Sequence, residues 1–147
     1  MPYIFLIVAA LMFGLYNVFI KLSSEHIEPV LGAVILQFVA LLLGGGMLLY
    51  LQRTGNEIAV SPRGIWLSVL AGIAIGLVEI LTFIIFSRGV PVAVGNPLII
   101  GGSLVVTTSV GVIALREALH PMQLAAVVLI IVGVTLLAVG AGRTGAA

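Results

Sequence analysis

Apolar residues run along the chain in five long, nearly uninterrupted blocks that are separated by short polar segments. The hydrocarbon layer of a bilayer is about 30 Å thick, and a helix needs roughly 20 apolar residues to cross it. Each block has about this length and is bounded by charged residues, proline or glycine, which commonly end helices. The pattern therefore predicts transmembrane helices over about 2–22, 30–51, 64–87, 92–115 and 122–139.

The segments between these blocks are short, so consecutive helices are expected to be antiparallel neighbours. No segment is long enough for an inserted soluble domain, and we expect one transmembrane domain over residues 1–147. The first block lacks the positively charged start of a secretory signal, and its apolar run is longer than a typical signal core. We interpret it as a retained helix. The predicted fold is an all-α, polytopic membrane helix bundle.

We expect most of the protein surface to face lipid, because 62% of the residues are hydrophobic and 7% are charged. The chain has no cysteine and two histidines, so we expect no disulfide, no metal site and no cofactor. A net charge of +1 spread over separate loops gives no basic surface for nucleic acid. No nucleophile motif or phosphate-binding glycine loop is present, and we do not expect an enzyme.

Basic residues are shared equally between the two sides that a five-helix topology defines. They are Arg53, Arg63 and Arg116 on the side of the N-terminus, and Lys21, Arg88 and Arg143 on the other side. Membrane orientation follows the bias of Lys and Arg near helix ends, and here there is none. Two interpretations stay open. The chain inserts in both directions and pairs with an inverted copy, or a weak bias is set by the N-terminus, a charge in a helix end or a partner.

Glu79 is the acidic residue that stands inside an apolar block, near the centre of the third predicted helix. A carboxylate at that depth costs at least a few kcal/mol on insertion scales, so it is expected to face the bundle interior. One hypothesis is that it binds a proton or a cationic substrate. The alternative is a structural role, either as the partner of a cation such as Lys21 or as a neutral acid packed between helices.

Four further polar positions are candidates. Asn17 and Lys21 lie one helical turn apart on the first helix, and Lys21 is a possible ion pair or gate unless it extends to the headgroups. Gln37 is the strongly polar side chain deep in the second helix. Asn96 precedes Pro97, which cannot donate to the helix ladder and is predicted to break or kink the fourth helix near its start. Broken helices often line substrate sites in transporters.

Two regions resemble a known family. Residues 13–21 are similar to the first-helix pattern of the EamA-type drug/metabolite transporters, and residues 89–98, 114–123 and 133–134 resemble the closing half of that family's repeat. Arg116 stands where the family usually has glycine. Members typically contain two such repeats in ten helices, so the resemblance implies a half-length, single-repeat member that dimerises.

The resemblance implies a secondary transporter of small organic metabolites or drugs, in the plasma (inner) membrane of a prokaryotic cell. We expect a homodimer, antiparallel or parallel, or a paired half-transporter, with a cavity lined by the first, third and fourth helices. The proposed substrate- or proton-binding residues are Glu79, Asn17, Gln37 and Asn96. One alternative is a small-multidrug-type proton-coupled exporter, although those chains have four helices. The other is an accessory membrane subunit that transports nothing.

Overall fold

The computed structural model describes residues 2–144, and within that range it contains the five predicted helices and no strand. Their bounds are α1 Pro2–Ser24, α2 Pro29–Arg53, α3 Pro62–Ser87, α4 Val92–Ile113 and α5 Pro121–Thr144. All five are long and apolar enough to cross a membrane. The predicted all-α membrane fold is confirmed.

The helix ends differ from the predicted ones by a few residues, for local reasons. Both α2 and α3 start on a proline, whose missing N–H is not needed in a first turn. The preceding side chain caps each start: the Glu28 carboxylate accepts from the Leu31 N–H at 2.9 Å, and the Ser61 hydroxyl accepts from the Gly64 N–H at 3.1 Å. Residues 140–144, which follow the predicted fifth helix, continue α5, and residues 145–147 lie outside the described residues.

The chain divides into two compact units, Met1–Gly89 and Val90–Ala147. In the first unit α3 packs against both α1 and α2. Gly32 of α2 lies directly on the ring of Phe83, so that an added Cβ would come within 2.5 Å of a ring carbon. Close approach of backbones at small residues is how membrane helices associate without a hydrophobic driving force between them. The α2–α3 pair is therefore held by close packing at Gly32.

The second unit is the pair of α4 and α5. Gly101 of α4 lies against Val134 of α5, where an added Cβ would be 2.6 Å from either methyl group. The connection between these helices turns at Arg116, which adopts a left-handed backbone conformation with φ 56°. Such a conformation is costly for a residue with a Cβ and is normal for glycine. A glycine at position 116 would adopt this conformation without that cost.

The structure shows no helix break at Pro97, because α4 continues through this residue without interruption. The kink predicted as the alternative stays a prediction. Proline at this position removes one hydrogen bond, the one that an amide would donate to the Ala93 carbonyl, and one missing bond does not end a helix in an apolar environment. The single-domain assignment of 1–147 stays a prediction.

Candidate functional site

A hydrogen bond in the interior of the first unit joins the two helices α1 and α3. The Tyr16 hydroxyl donates to Oε2 of Glu79, whose side chain is only 4% exposed. Tyr16 stands eight residues before the end of α1, and Glu79 eight residues before the end of α3. At a rise of 1.5 Å per residue, both lie about 12 Å inside the helix ends. The two helices run parallel, so these side chains meet at one depth within the hydrocarbon layer.

An aromatic ring stacks on this pair, and the neighbouring side chains of Asn17 and Thr82 form hydrogen bonds within their own helices. The Phe13 ring stacks on Tyr16 with a centroid distance of 5.5 Å and an interplanar angle of 24°. Asn17 is 3% exposed, and its side-chain amide donates to the Phe13 carbonyl at 2.8 Å. Thr82 donates to the carbonyl of Val78 at 2.7 Å. Asn17 therefore lies next to Tyr16 in the chain and uses one of its two side-chain N–H groups within α1.

Glu79 has no ion-pair partner among the residues that the structure describes. Lys21, the cation considered as its partner, is five residues beyond Tyr16, which is about 8 Å along the helix. Its ammonium instead pairs with Glu25 at 2.9 Å and donates to the Phe86 carbonyl at 3.1 Å. Lys21 thus joins the end of α1 to the end of α3. The Glu79 carboxylate has only the neutral Tyr16 hydroxyl as its partner.

The acids near the first loop have structural roles of their own. The hydrogen bond from Lys21, together with its positive charge, lowers the pKa of the exposed Glu25 carboxyl. Glu28 caps α2 through the N–H of Leu31. The two acids of this loop therefore have structural partners.

Gln37 lies on α2 at the same depth as the pair, eight residues after Pro29. Its amide nitrogen would be 3.5 Å from a Cβ at Gly76, one turn before Glu79 on α3. The side chain is exposed, and within residues 2–144 it forms no hydrogen bond. An amide left unpaired in hydrocarbon is costly, so this position calls for a polar partner beyond the first unit.

Asn96 belongs to the second unit, and the structure leaves its Oδ1 buried without a hydrogen-bond partner among the described residues. Buried acceptors of this kind are rare in native proteins, and each requires an explanation. Of the predicted residues, the structure brings Glu79, Asn17 and Lys21 together along the α1–α3 interface, with Gln37 on the adjoining α2–α3 face. Asn96 lies on α4, in the second unit.

Tyr16 was missed by sequence reasoning, although it is the direct partner of Glu79. A signal was present: Tyr16 lies deep in an apolar block, whereas Tyr3 lies near a span end, where aromatic rings usually sit at the membrane surface. A tyrosine inside the hydrocarbon layer needs a partner for its hydroxyl. Which helix supplies that partner depends on helix rotation, and the nearly uniform apolar surface of α1 does not reveal it.

Five helices of membrane-spanning length, with a carboxylate buried within the first unit, define an integral, multi-pass membrane protein. The profile of the EamA-like transporter family matches residues 1–139. The chain belongs to the EamA-like transporter family, which confirms the resemblance seen in the sequence, and it is a membrane transporter of small solutes. Neither the curated proteins nor the solved structures contain a match to this chain.

Proposed function

We propose that this chain is a secondary transporter of a small organic metabolite or drug in which Glu79 binds a proton or the cationic group of the substrate. The observation that carries the proposal is the buried Glu79 carboxylate, whose one hydrogen bond comes from the neutral Tyr16 hydroxyl. A carboxylate held this way at membrane depth has its charge uncompensated. A proton or a bound cation supplies the compensation, and exchange of one for the other couples the two fluxes.

The residues around Glu79 favour this role over a structural one. A structural acid in a membrane helix is normally paired with a cation, and the nearest candidate, Lys21, is committed to Glu25 and the Phe86 carbonyl. The site is open to exchange because its partner is a hydroxyl, which can release the carboxylate without leaving a second buried charge.

The other polar candidates have supporting roles in the proposal. Gln37 presents a free amide at the depth of Glu79 and would orient a polar group of the substrate. Asn17 donates to the Phe13 carbonyl within α1 and would orient a polar group of the substrate next to Tyr16. On α4, the unpaired Oδ1 of Asn96 would accept a hydrogen bond from a substrate donor.

The proposed working form is an antiparallel homodimer of single-domain chains in the plasma (inner) membrane of a prokaryotic cell. Two observations support it: the equal division of basic residues between the sides, and the exposed Gln37 amide, which needs a partner other than lipid. Five helices of membrane length argue against the four-helix, small-multidrug type. Reporters of cytoplasmic and external location fused after Ala147 should both give signal in one cell population; a single signal would contradict the antiparallel pair.

The transport experiment uses purified chain in proteoliposomes loaded with a pH-sensitive dye. A panel of benzylammonium, choline, a neutral amino acid and a sugar is applied on one side, and proton movement is recorded at several pH values. Glu79→Gln should abolish substrate-coupled proton flux. Glu57→Gln is the matched control, because Glu57 is exposed in the loop before α3 and should behave as wild type. Full coupled flux in Glu79→Gln across the pH range would overturn the proposal.

A further inference from the structure

Tyr16 is the more accessible half of the buried pair. Glu79 exposes 4% of its surface, whereas Tyr16 is only partly buried and stacks on Phe13, whose ring is 46% exposed. A ligand that approaches the carboxylate therefore meets the phenol first. Its contribution to recognition follows from the hydrogen-bond chemistry of that group.

A phenolic oxygen both donates and accepts. In this structure its proton is donated to Oε2 of Glu79, so the oxygen of Tyr16 keeps a lone pair that faces away from that bond. Oε1 of Glu79 has no partner among the described residues. The pair therefore presents two acceptors, one charged and one neutral, and no free donor.

We propose that the Tyr16–Glu79 pair selects protonated amines that carry at least two N–H groups, one donated to Glu79 and one to the Tyr16 oxygen. This inference rests on the proposed function of Glu79 and names its substrate class. A quaternary ammonium carries the same charge but no N–H, so it satisfies neither acceptor. The organic part of the ligand lies against the open face of Phe13, where an aromatic ring also attracts a cation.

The experiment uses four cations that share one ring and one charge: benzylammonium and its N-methyl, N,N-dimethyl and N,N,N-trimethyl derivatives. Binding to the wild-type chain in lipid nanodiscs is measured by isothermal titration calorimetry at a pH where all four are charged. Hydrogen bonds to charged groups are strong enough that loss of the N–H donors should weaken binding by about tenfold or more between the first and last members. This comparison needs no variant.

Tyr16→Phe removes the neutral acceptor and should flatten the series, so that the primary and dimethyl amines bind within about threefold of each other. Tyr50→Phe is the matched control, since Tyr50 is exposed near the end of α2 and its loss should leave the wild-type order intact.

Equal binding of all four cations by wild type, no binding of any of them, or an unchanged ratio between the primary and dimethyl amines in Tyr16→Phe would overturn the inference. None of these results by itself contradicts Glu79 as the coupling residue. That role fails only if Glu79→Gln keeps coupled proton flux, so the two proposals fail separately.

Discussion

The α1–α3 and α4–α5 interfaces hold helices together in opposite ways. Between α1 and α3 the contacts are polar: the Tyr16 hydroxyl on Glu79 and the Lys21 ammonium on the Phe86 carbonyl. Between α4 and α5, within the described residues, no side-chain hydrogen bond crosses, and Gly101 lies tightly against Val134. A ligand can replace a hydrogen bond but cannot replace close packing. Under the proposed function, ligand exchange takes place at the first interface, whereas the second interface stays closely packed.

The largest expected effect comes from disturbing the packed interface. Gly101→Ala places a methyl group 2.6 Å from the stiff, β-branched Val134 side chain, and overpacking of this kind costs about 1–3 kcal/mol in the free energy of unfolding. Gly102→Ala is the control, because nothing lies within 4 Å of its added Cβ. Thermal unfolding of both variants in detergent tests this; equal stability of the two would show that α4 and α5 are not held by close packing.

The turn that joins the packed helices should be improvable. Arg116→Gly relieves the left-handed backbone at φ 56° and should raise the free energy of unfolding by about 1 kcal/mol. Arg88→Gly removes the same side chain where φ is −81°, and it should give no gain. The measurement is the same unfolding experiment. A stabilised Arg88→Gly, or an unchanged Arg116→Gly, would refute the assignment of strain to Arg116.

Making the polar interface apolar should separate stability from function. In the double variant Tyr16→Phe with Glu79→Met, no unpaired polar group is left behind, and replacement of buried polar partners by apolar ones is often neutral or stabilising. The unfolding free energy should stay close to that of wild type while coupled proton flux is lost. Functional sites commonly reduce the stability of a protein, so their removal need not destabilise it. A severely destabilised double variant would therefore mean that the pair has a structural role.

The smallest effect concerns the exposed ion pair at the end of this interface. The pKa of Glu25 is lowered in the folded protein, so the pair stabilises the fold above the ordinary glutamate pKa, and this contribution is lost as pH falls through the lowered value. Glu25→Gln should remove that small pH-dependent contribution to stability, whereas Lys21→Met should cost more, because the bond to the Phe86 carbonyl is lost as well. Unfolding curves at neutral and acidic pH compare the two variants.

The helices could be predicted because the hydropathy and the length of a segment decide whether it inserts into a membrane. Their ends depend on local chemistry that the sequence also carries, such as Ser61 before Pro62. A break or kink at Pro97 was predicted because proline lacks the N–H for one helix hydrogen bond and disfavours helical geometry at Asn96, and the helix is not broken there. In hydrocarbon the remaining helix bonds are worth more than the one lost.

The site was only half predictable. Glu79 could be predicted because a carboxylate in an apolar membrane segment costs free energy, whichever way the helix is rotated. Its partner depends on how α1 is rotated against α3, and apolar residues surround α1 on all sides. Long-range pairing of this kind is decided by tertiary packing, so Tyr16 emerged only from the folded arrangement.

The depth of Glu79 has an electrical consequence. It lies seventeen residues after Pro62 but only eight before Ser87, roughly 26 Å from one end of α3 and 12 Å from the other. A charge held there has crossed about a third of the membrane field from the near side, and the remaining two thirds correspond to about 1.5 kcal/mol per 100 mV. If Glu79 is the coupling residue, as proposed, membrane voltage acts mainly on the step that connects it with the side on which α3 begins.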